Sequence, residues 1–571
     1  MAQVDARVGD IDGNVEKILD AWDRAAVEGA DLVVFTELTV TGYLPEDLLL
    51  KPEFVDRAAE AVSELAERGP SGTVAVVGTV AVAGELESAD EQAWDVSVPA
   101  LNLRNRAVVL ADGREVAAYD KWRLPNYGVF DEARYFVPDD ETLVVRVAGV
   151  PVGITVCEDL WTDAGPLAQA AAAGAKVIAN LNASPWHRGK RPTRETWVRR
   201  HAERDGTWVV YVNTVGGQDD VVFDGDSMLC APDGSIVARG QQFKADLVVV
   251  DVPVDAADAH GPDLPGSHHH PALAPHVDVP RLDDLDEVYT ALVRATRDYV
   301  HRNGFREVIV ALSGGIDSAL TAAIAADALG GEHVIGLLLP SPYSSDHSLA
   351  DARALAEAFG IRHHVVPIAP GMEAFGAMLG PVFAAEGGPS AAGDDVVTVT
   401  EENLQSRVRG VAVMAMSNET GALVLTTGNK SEYAVGYATL YGDMSGGFAP
   451  LKDVPKTLVF ELSRWRNRDG EMIPTNTITK PPSAELKPGQ VDQDSLPPYD
   501  VLDDIIEAYV EDNAGVAEIV ARGHDEALVR RVLRMIDRSE FKRRQSAPGP
   551  KVTGRAFGKE RRVPITHHWA G

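Results

Sequence analysis

A chain of 571 residues, 45% hydrophobic and 24% charged, is long enough for two domains with full cores and ordinary in make-up for a globular protein. A formal net charge of −33 excludes nonspecific attraction to nucleic acid or to an anionic membrane surface, since both would be repelled. Its two cysteines offer neither a disulfide framework nor a clustered zinc site, no apolar run reaches membrane-spanning length, and no signal peptide is read at the N-terminus, so a reducing cytoplasm is the expected setting.

The opening "MAQVDARVGDIDGN" reads as the end of a first strand and the loop after it, so a few residues are expected ahead of Met1. Short apolar strands then recur in "DLVVFTEL", "GTVAVVGTVAV", "SVPALNLR", "VGITVCEDL", "AKVIANLN", "TWVVYVNTV" and "ADLVVVDVPV", with alanine-rich stretches among them. This predicts an α/β domain with a large sheet component over residues 1–253. Three segments look arranged for chemistry. Glu37 stands at the tip of a buried strand, where desolvation favours a general base, and Lys121 in "YDKWRLPNYGVFDEARYF" is a cation where a strand gives way to a loop. Cys157 lies where "PVGITVCEDLW" runs from a strand into an acidic turn. A thiol, a base and a cation are the parts needed for covalent attack on an amide carbonyl. Cys230 in "DSMLCAPDG" has no base or cation near it in sequence and reads as a small buried hydrophobe.

Together these segments resemble the nitrilase or carbon-nitrogen hydrolase superfamily, whose members hydrolyse amides through a thioester. The resemblance implies an α-β-β-α sandwich, with Glu37 as general base, Lys121 as stabiliser of the tetrahedral intermediate, Cys157 as nucleophile and Glu132 as the second glutamate of the family. It also implies that Tyr127, Ser184 and Lys190 grip a glutamine substrate.

Residues 254–280 are rich in Pro, Gly, His and Asp and lack periodicity, which marks a linker. The run His268, His269, His270 has no accompanying ligand spacing and reads as a solvated loop. From residue 281 onward, "LDDLDEVYTALVRATRDYVHRNG" is an amphipathic helix and "REVIVALS" a buried strand. After "ALSGGIDSAL" comes an alanine-rich helix, and then "HVIGLLLPSPYSSDHSLADARALAEAFG" repeats strand, loop and helix. A doubly wound parallel sheet over 281–571 follows, with its ligand expected at the carboxyl ends of the strands.

The glycine pair therefore occupies a strand-to-helix turn, which presents backbone N–H groups and a helix N-terminus to an anion. It lacks the Gly-Lys-Ser/Thr ending of a Walker loop and is not GxGxxG. Asp317 would repel a phosphate unless a divalent cation lay between them, so Mg2+ with a nucleotide pyrophosphate is implied. The plainer alternative is a capped turn in which Gly315 supplies backbone freedom and Asp317 and Ser318 cap the helix.

The turn resembles the pyrophosphate loop of ATP pyrophosphatases, which have a Rossmann-like sheet of the adenine nucleotide alpha hydrolase type. With "TEENLQSRVRG", "VLTTGNKSEYAVGYATLYGDMSGGFAPLKDVPKT", "PPSAELKPGQVDQDSLPPYDVLD" and "FKRRQSAPGPKVTGRAFGKERRVPI", nearly the whole chain resembles the glutamine-dependent NAD synthetase family. The resemblance implies an ATP-dependent amidation of deamido-NAD with ammonia drawn from glutamine. ATP binding falls to Ala311, Leu312, Ser313, Gly314, Gly315, Ile316, Asp317, Ser318 and Thr427, and Mg2+ binding to Asp317 and Glu432. Deamido-NAD binding falls to Asn403, Arg407, Glu432, Lys456 and Lys542, and the two phosphates of that substrate would account for the basic C-terminal stretch. The family further implies a cytoplasmic homo-oligomer with neither nucleic acid nor membrane as partner. Local alternatives are that Glu432 caps a helix, Arg407 pairs with Glu402 and Lys542 is a solvated charge. At the level of the whole chain the rivals are another glutamine-dependent amidotransferase of the ATP-pyrophosphatase class, and a nucleotide-binding regulatory protein with an inactive amidase half.

Overall fold

A computed structural model describes residues 1–83, 102–254, 263–264, 279–387 and 397–569. It divides into two compact units, one of residues 1–218 and 222–282 and one of residues 219–221 and 283–571. Of the stretch read as a linker, only Val254, Asp263, Leu264, Val279 and Pro280 are described, and the three histidines lie outside the described residues, as do residues 97–101 of "SVPALNLR".

The first unit is built on two sheets. Four strands, β2 (Leu32–Val34), β3 (Val74–Val82), β4 (Leu103–Ala111) and β5 (Arg114–Asp120), pair in sequence order, the first pair parallel and the other two antiparallel. The larger sheet runs in the order β13 (Ile236–Arg239), β12 (Met228–Cys230), β9 (Trp208–Asn213), β8 (Val177–Asn182), β7 (Val150–Val156), β6 (Leu143–Val147), β15 (Asp263–Leu264). Its centre, β7 to β9, is parallel. Two short pairs complete the unit, β1 (Ala2–Gln3) with β14 (Asp246–Leu247) and β10 (Val215–Gln218) with β11 (Val221–Asp224).

Alternation along the strands explains the layering. Ala179 and Leu181 of β8 join Val76 and Val109 of the small sheet in one apolar core, while Ile178 of β8 and Val209 and Tyr211 of β9 face a second core with Val198 and Ala202. That second core is closed by α3 (Pro166–Ala172) and α4 (Lys190–Asp205), while α1 (Ile11–Val27) and α2 (Pro52–Arg68) cover the small sheet. The result is the α-β-β-α sandwich. Each predicted catalytic side chain follows the end of a strand or stands in the loop beyond it.

The second unit holds a parallel sheet ordered β18 (Arg362–Val365), β17 (Val334–Leu338), β16 (Val308–Ala311), β19 (Leu423–Leu425). Order runs outward from β16 through β17 to β18 and then restarts on the other side of β16 with β19. The switch point therefore lies between β16 and β19, where ligands of doubly wound sheets bind. Its helices include α5 (Asp284–Arg302), α6 (Ile316–Leu329), α7 (Asp346–Ala358), α8 (Ala369–Ala385), α9 (Val399–Thr420), α10 (Lys430–Val435) and α11 (Lys456–Arg466). Among the described residues no helix is long and apolar enough to cross a membrane.

Candidate functional site

In the first unit four segments meet around buried charge. Glu37, three residues past β2, is 1% exposed, as is Lys121, the residue after β5. Lys121 Nζ donates to Glu37 Oε1 at 2.6 Å and to both oxygens of Glu132 at 2.9 and 2.8 Å, so one cation joins two carboxylates that water does not reach. Burial pushes Glu132 up to about 7 against the pull of Lys121, and Tyr43 Oη donates to it at 2.7 Å. Lys121 is held well above the ordinary lysine range by Glu132 and Glu37, which outweigh its own desolvation. Room for this arrangement comes from Gly78 on β3. A Cβ there would stand 2.4 Å from both Leu38 N and Thr36 O, the backbone on either side of Glu37.

Cys157 follows β7 directly, with φ +42°, a left-handed conformation that a non-glycine residue adopts only at a cost. The thiol is 3% exposed, and burial, with Glu37 adding to it, raises its pKa well above the usual value. Burial thus favours the neutral form of this thiol. Two residues on, Asp159 ties the turn down: its carboxylate accepts from Val156 N at 2.9 Å, Arg123 N at 2.9 Å and Tyr119 Oη at 2.8 Å. The last two donors flank Lys121, so Asp159 couples the cysteine turn to the lysine segment. Burial pushes Asp159 up to about 6.

The residues expected to grip glutamine lie around the same turn. Ser184 is 2% exposed, its amide donating to Asn213 Oδ1 at 2.8 Å, and the neighbouring Ala183 N donates to Glu37 Oε2 at 3.0 Å. Lys190 Nζ donates to Pro185 O at 2.7 Å and lies 5.7 Å from the Trp161 ring. Tyr127, 57% exposed, donates to both oxygens of Glu158 at 3.0 Å. Sequence reasoning missed Asn105, Glu158, Asp159 and Asn213. Only "CED" carried a signal, and it did not say which acid is buried.

In the second unit the glycine turn follows β16. Gly314 has φ +78°, and a Cβ on it would stand 2.2 Å from Ser348 O, so only glycine fits. Of the predicted ATP-binding residues, Leu312, Ile316 and Ser318 are buried, Ala311 and Thr427 are half-buried and Ser313 is exposed. Ser318 Oγ donates to Gly315 O at 2.9 Å and accepts from Ser313 N at 3.2 Å, which makes it an internal brace of the turn.

Across the switch point Asn429 Nδ2 donates to Asp317 Oδ1 at 2.8 Å. Lys456 Nζ, 1% exposed as a residue, donates to Asp317 Oδ2 at 2.5 Å and to Glu432 Oε1 at 3.2 Å. Burial pushes Glu432 up to about 8, with Asp317 adding to it and Lys456 opposing. Two carboxylates thus converge on a single ammonium, a hard-oxygen donor set that a magnesium ion accepts. Among the described residues no group of three or more His, Cys, Asp or Glu is arranged to hold a metal unaided.

The remaining predicted contacts lie on helices, Asn403 and Arg407 in α9 and Lys542 in the short helix Glu540–Arg543. Asn403 Oδ1 accepts from Thr439 Oγ1 at 2.9 Å, Arg407 Nε donates to Leu440 O at 3.2 Å, and Lys542 Nζ donates to Gly436 O and Ala438 O at 2.7 and 2.8 Å. Arg407 does not pair with Glu402, whose partner is Lys487 at 3.4 Å, and Lys542 is no solvated charge. Glu432 does cap its helix, its Oε2 accepting from Asn429 N at 3.3 Å. In the basic C-terminal stretch Arg543 and Arg544 pair with Glu540, Arg561 with Asp537 and Lys551 with Glu560.

Comparison with known proteins bears on both units. Residues 1–260 match the family described as carbon-nitrogen hydrolase, and residues 288–546 match NAD synthase. The chain is 44% identical to the glutamine-dependent NAD(+) synthetase of Synechocystis sp., with 99% of this chain and 98% of that protein covered. It is 46% identical to that of Xanthomonas campestris pv. campestris, over 100% of this chain and 97% of the relative. A solved structure, glutamine-dependent NAD+ synthetase from Acinetobacter baumannii in complex with ADP, matches with a TM-score of 0.74 and 40% identity over 100% of this chain and 99% of that one. With both halves matched in one continuous alignment, the chain belongs to the glutamine-dependent NAD(+) synthetase family.

Proposed function

We propose that the chain is a glutamine-dependent NAD(+) synthetase, an ATP-dependent carbon-nitrogen ligase, in which the first unit releases ammonia from glutamine and the second spends it on deamido-NAD. The observation that supports this most is the presence in one chain of two complete charge clusters: Glu37, Lys121 and Glu132 close to Cys157, and Asp317, Glu432 and Lys456 beside the glycine turn.

In the first unit Glu37 takes the Cys157 proton as Sγ attacks the glutamine side-chain carbonyl. Lys121 stabilises the oxyanion, Glu37 passes the proton on to the amide nitrogen, the carbon-nitrogen bond breaks and ammonia leaves. Water then cleaves the thioester, giving glutamate and the free thiol. The Lys190 ammonium and the Glu158 carboxylate suit the α-carboxylate and α-ammonium of the substrate, with Tyr127 and Ser184 completing its pocket. In the second unit the exposed Ser313, the Gly314–Gly315 backbone and Thr427 hold the ATP phosphates while a nicotinate carboxylate oxygen attacks the α-phosphorus and pyrophosphate departs. Ammonia then attacks the activated carbonyl carbon and AMP leaves. Asp317 and Glu432 would hold Mg2+, which when bound neutralises phosphate charge. Lys456 supplies a fixed cation at the same place, and Asn403, Arg407 and Lys542 contact deamido-NAD. Two unpaired cysteines accord with a cytoplasmic setting.

The test is mass spectrometry of the product formed from deamido-NAD, ATP, Mg2+ and amide-15N glutamine, beside a Cys157→Ala variant. Heavy NAD from the parent but not the variant, with ammonium restoring NAD formation by the variant, is the expected result. Failure of both proteins to form NAD from either nitrogen source would refute the synthetase reading.

We also infer a homo-oligomer. Helix α8 buries none of its residues, and Glu373 is its sole charged side chain, while Met378 and Val382 are 60% and 54% exposed. Val411 and Met414 of α9 are exposed too. In a chain of net charge −33, an almost uncharged apolar face is where two copies meet without repulsion. Sedimentation of Met378→Glu with Val382→Glu is expected to show a smaller particle than the parent. An unchanged mass would exclude this face as the interface.

A further inference from the structure

The glutaminase reading leaves open which oxygen of Glu37 acts as the base, and on that reading the hydrogen bonds around the carboxylate answer it. A carboxylate oxygen offers about two acceptor sites. Glu37 Oε1 fills both, accepting from Lys121 Nζ at 2.6 Å and from Asn105 Nδ2 at 2.8 Å. Glu37 Oε2 accepts from Ala183 N at 3.0 Å, and among the described residues this is its one donor. One acceptor site is left, on Oε2.

We propose that Asn105 is a positioning residue that directs the Cys157 proton to Oε2 of Glu37, by occupying the second acceptor site of Oε1 and fixing the carboxylate plane. Its location suits the role. Asn105 is 1% exposed on β4, and its own carbonyl accepts from Lys121 N at 2.8 Å, so a single residue holds the backbone of the lysine and the side chain of the base. Without the Asn105 amide, Lys121 on Oε1 and Ala183 N on Oε2 are the donors left to the carboxylate, and the second acceptor site of Oε1 is opened to compete with Oε2 for the thiol proton.

The experiment measures glutamine hydrolysis by the full chain from about pH 5 to 9 for Asn105→Ala, Asn105→Ser and, as reference, Glu37→Gln. The expected result for Asn105→Ala is a fall in kcat of about ten- to a hundredfold, the loss of one hydrogen bond to a charged group, with KM within about twofold of the parent. Asn105→Ser, which keeps a short donor, lies between Asn105→Ala and the parent. Should Asn105→Ala fail to fold, the same split between kcat and KM is read from Asn105→Ser. An unchanged kcat, or a loss carried by KM alone, would overturn the positioning role while leaving the glutaminase reading intact. Hydrolysis by Glu37→Gln at the parental rate would instead remove the reading on which the proposal rests.

Discussion

Replacing Lys121 with Met is expected to abolish glutamine hydrolysis, by about a thousandfold or more, and to leave NAD formation from ammonium in place. Two losses combine in the first figure. One is the cation aimed at the developing oxyanion, where removal of a single preorganised donor costs about 100- to 1,000-fold. The other acts on the base. Without the ammonium, Glu37 Oε1 loses the donor at 2.6 Å that orients it, and Glu132 loses the pull that opposes its burial and the Glu37 charge, so Glu132 holds its proton to higher pH. Breaking a buried pair by removing one partner destabilises by about 3–5 kcal/mol. Proton uptake relieves part of this at low pH, so the melting temperature of the variant falls towards alkaline pH more steeply than that of the parent. Both readouts come from one preparation, with steady-state hydrolysis for the first and calorimetry across pH for the second. Hydrolysis within tenfold of the parent would show that Lys121 is no part of the chemistry.

Glu37, Lys121 and Cys157 were legible in the sequence because each stands at or just past the end of a strand, whereas Glu132, in the turn beyond β5, was reached only through the family resemblance. Apolar runs locate strand ends, and a base, a cation and a thiol at such ends together suggest chemistry that none of them would alone. Asn105 gives no such sign. It sits inside β4, in "LRNRAVVLA", where a polar residue reads as ordinary alternation, and its partner Glu37 is 68 positions away. Asp159 and Glu158 are adjacent acids in one turn, and only the turn's left-handed start at Cys157 decides that Asp159 points inward to Tyr119 while Glu158 faces Tyr127. In the second unit the glycine turn and its anion preference could be derived from the turn's position between strand and helix. The Lys456 bridge could not, since it joins residues 139 and 24 positions apart and depends on how α10, α11 and the glycine turn pack. The ion pairs within the basic C-terminal stretch were hidden for the same reason: its charge is visible in sequence, whereas the pairing of Arg543, Lys551 and Arg561 with Glu540, Glu560 and Asp537 is assigned only by folding.

Replacing Lys456 with Met is expected to stop NAD formation from glutamine and from ammonium alike, by about a hundred- to a thousandfold, because the lysine is the cation that Asp317 and Glu432 share beside the glycine turn. The electrostatics supply a second readout that does not depend on activity. In the parent, Glu432 is pushed up to about 8, above its value in the unfolded chain, so the folded state holds a proton that the unfolded state releases near pH 4.3. Its contribution to stability is complete below that lower value and is lost as pH rises towards 8, after which it levels off. Without Lys456 the pull that opposes burial is gone and Glu432 holds its proton to still higher pH, so the variant goes on losing stability beyond about pH 8, where the parent curve has flattened. A divalent cation restores what the lysine supplied. Millimolar Mg2+ therefore raises the melting temperature of Lys456→Met more than that of the parent, as a ligand that binds the folded state alone must. Calorimetry of the full chain from about pH 6 to 9.5, with and without Mg2+, reads both effects. Parallel curves with equal Mg2+ shifts would mean that Lys456 does not set the charge at Asp317 and Glu432, and the place assigned to the cation there would have to be given up.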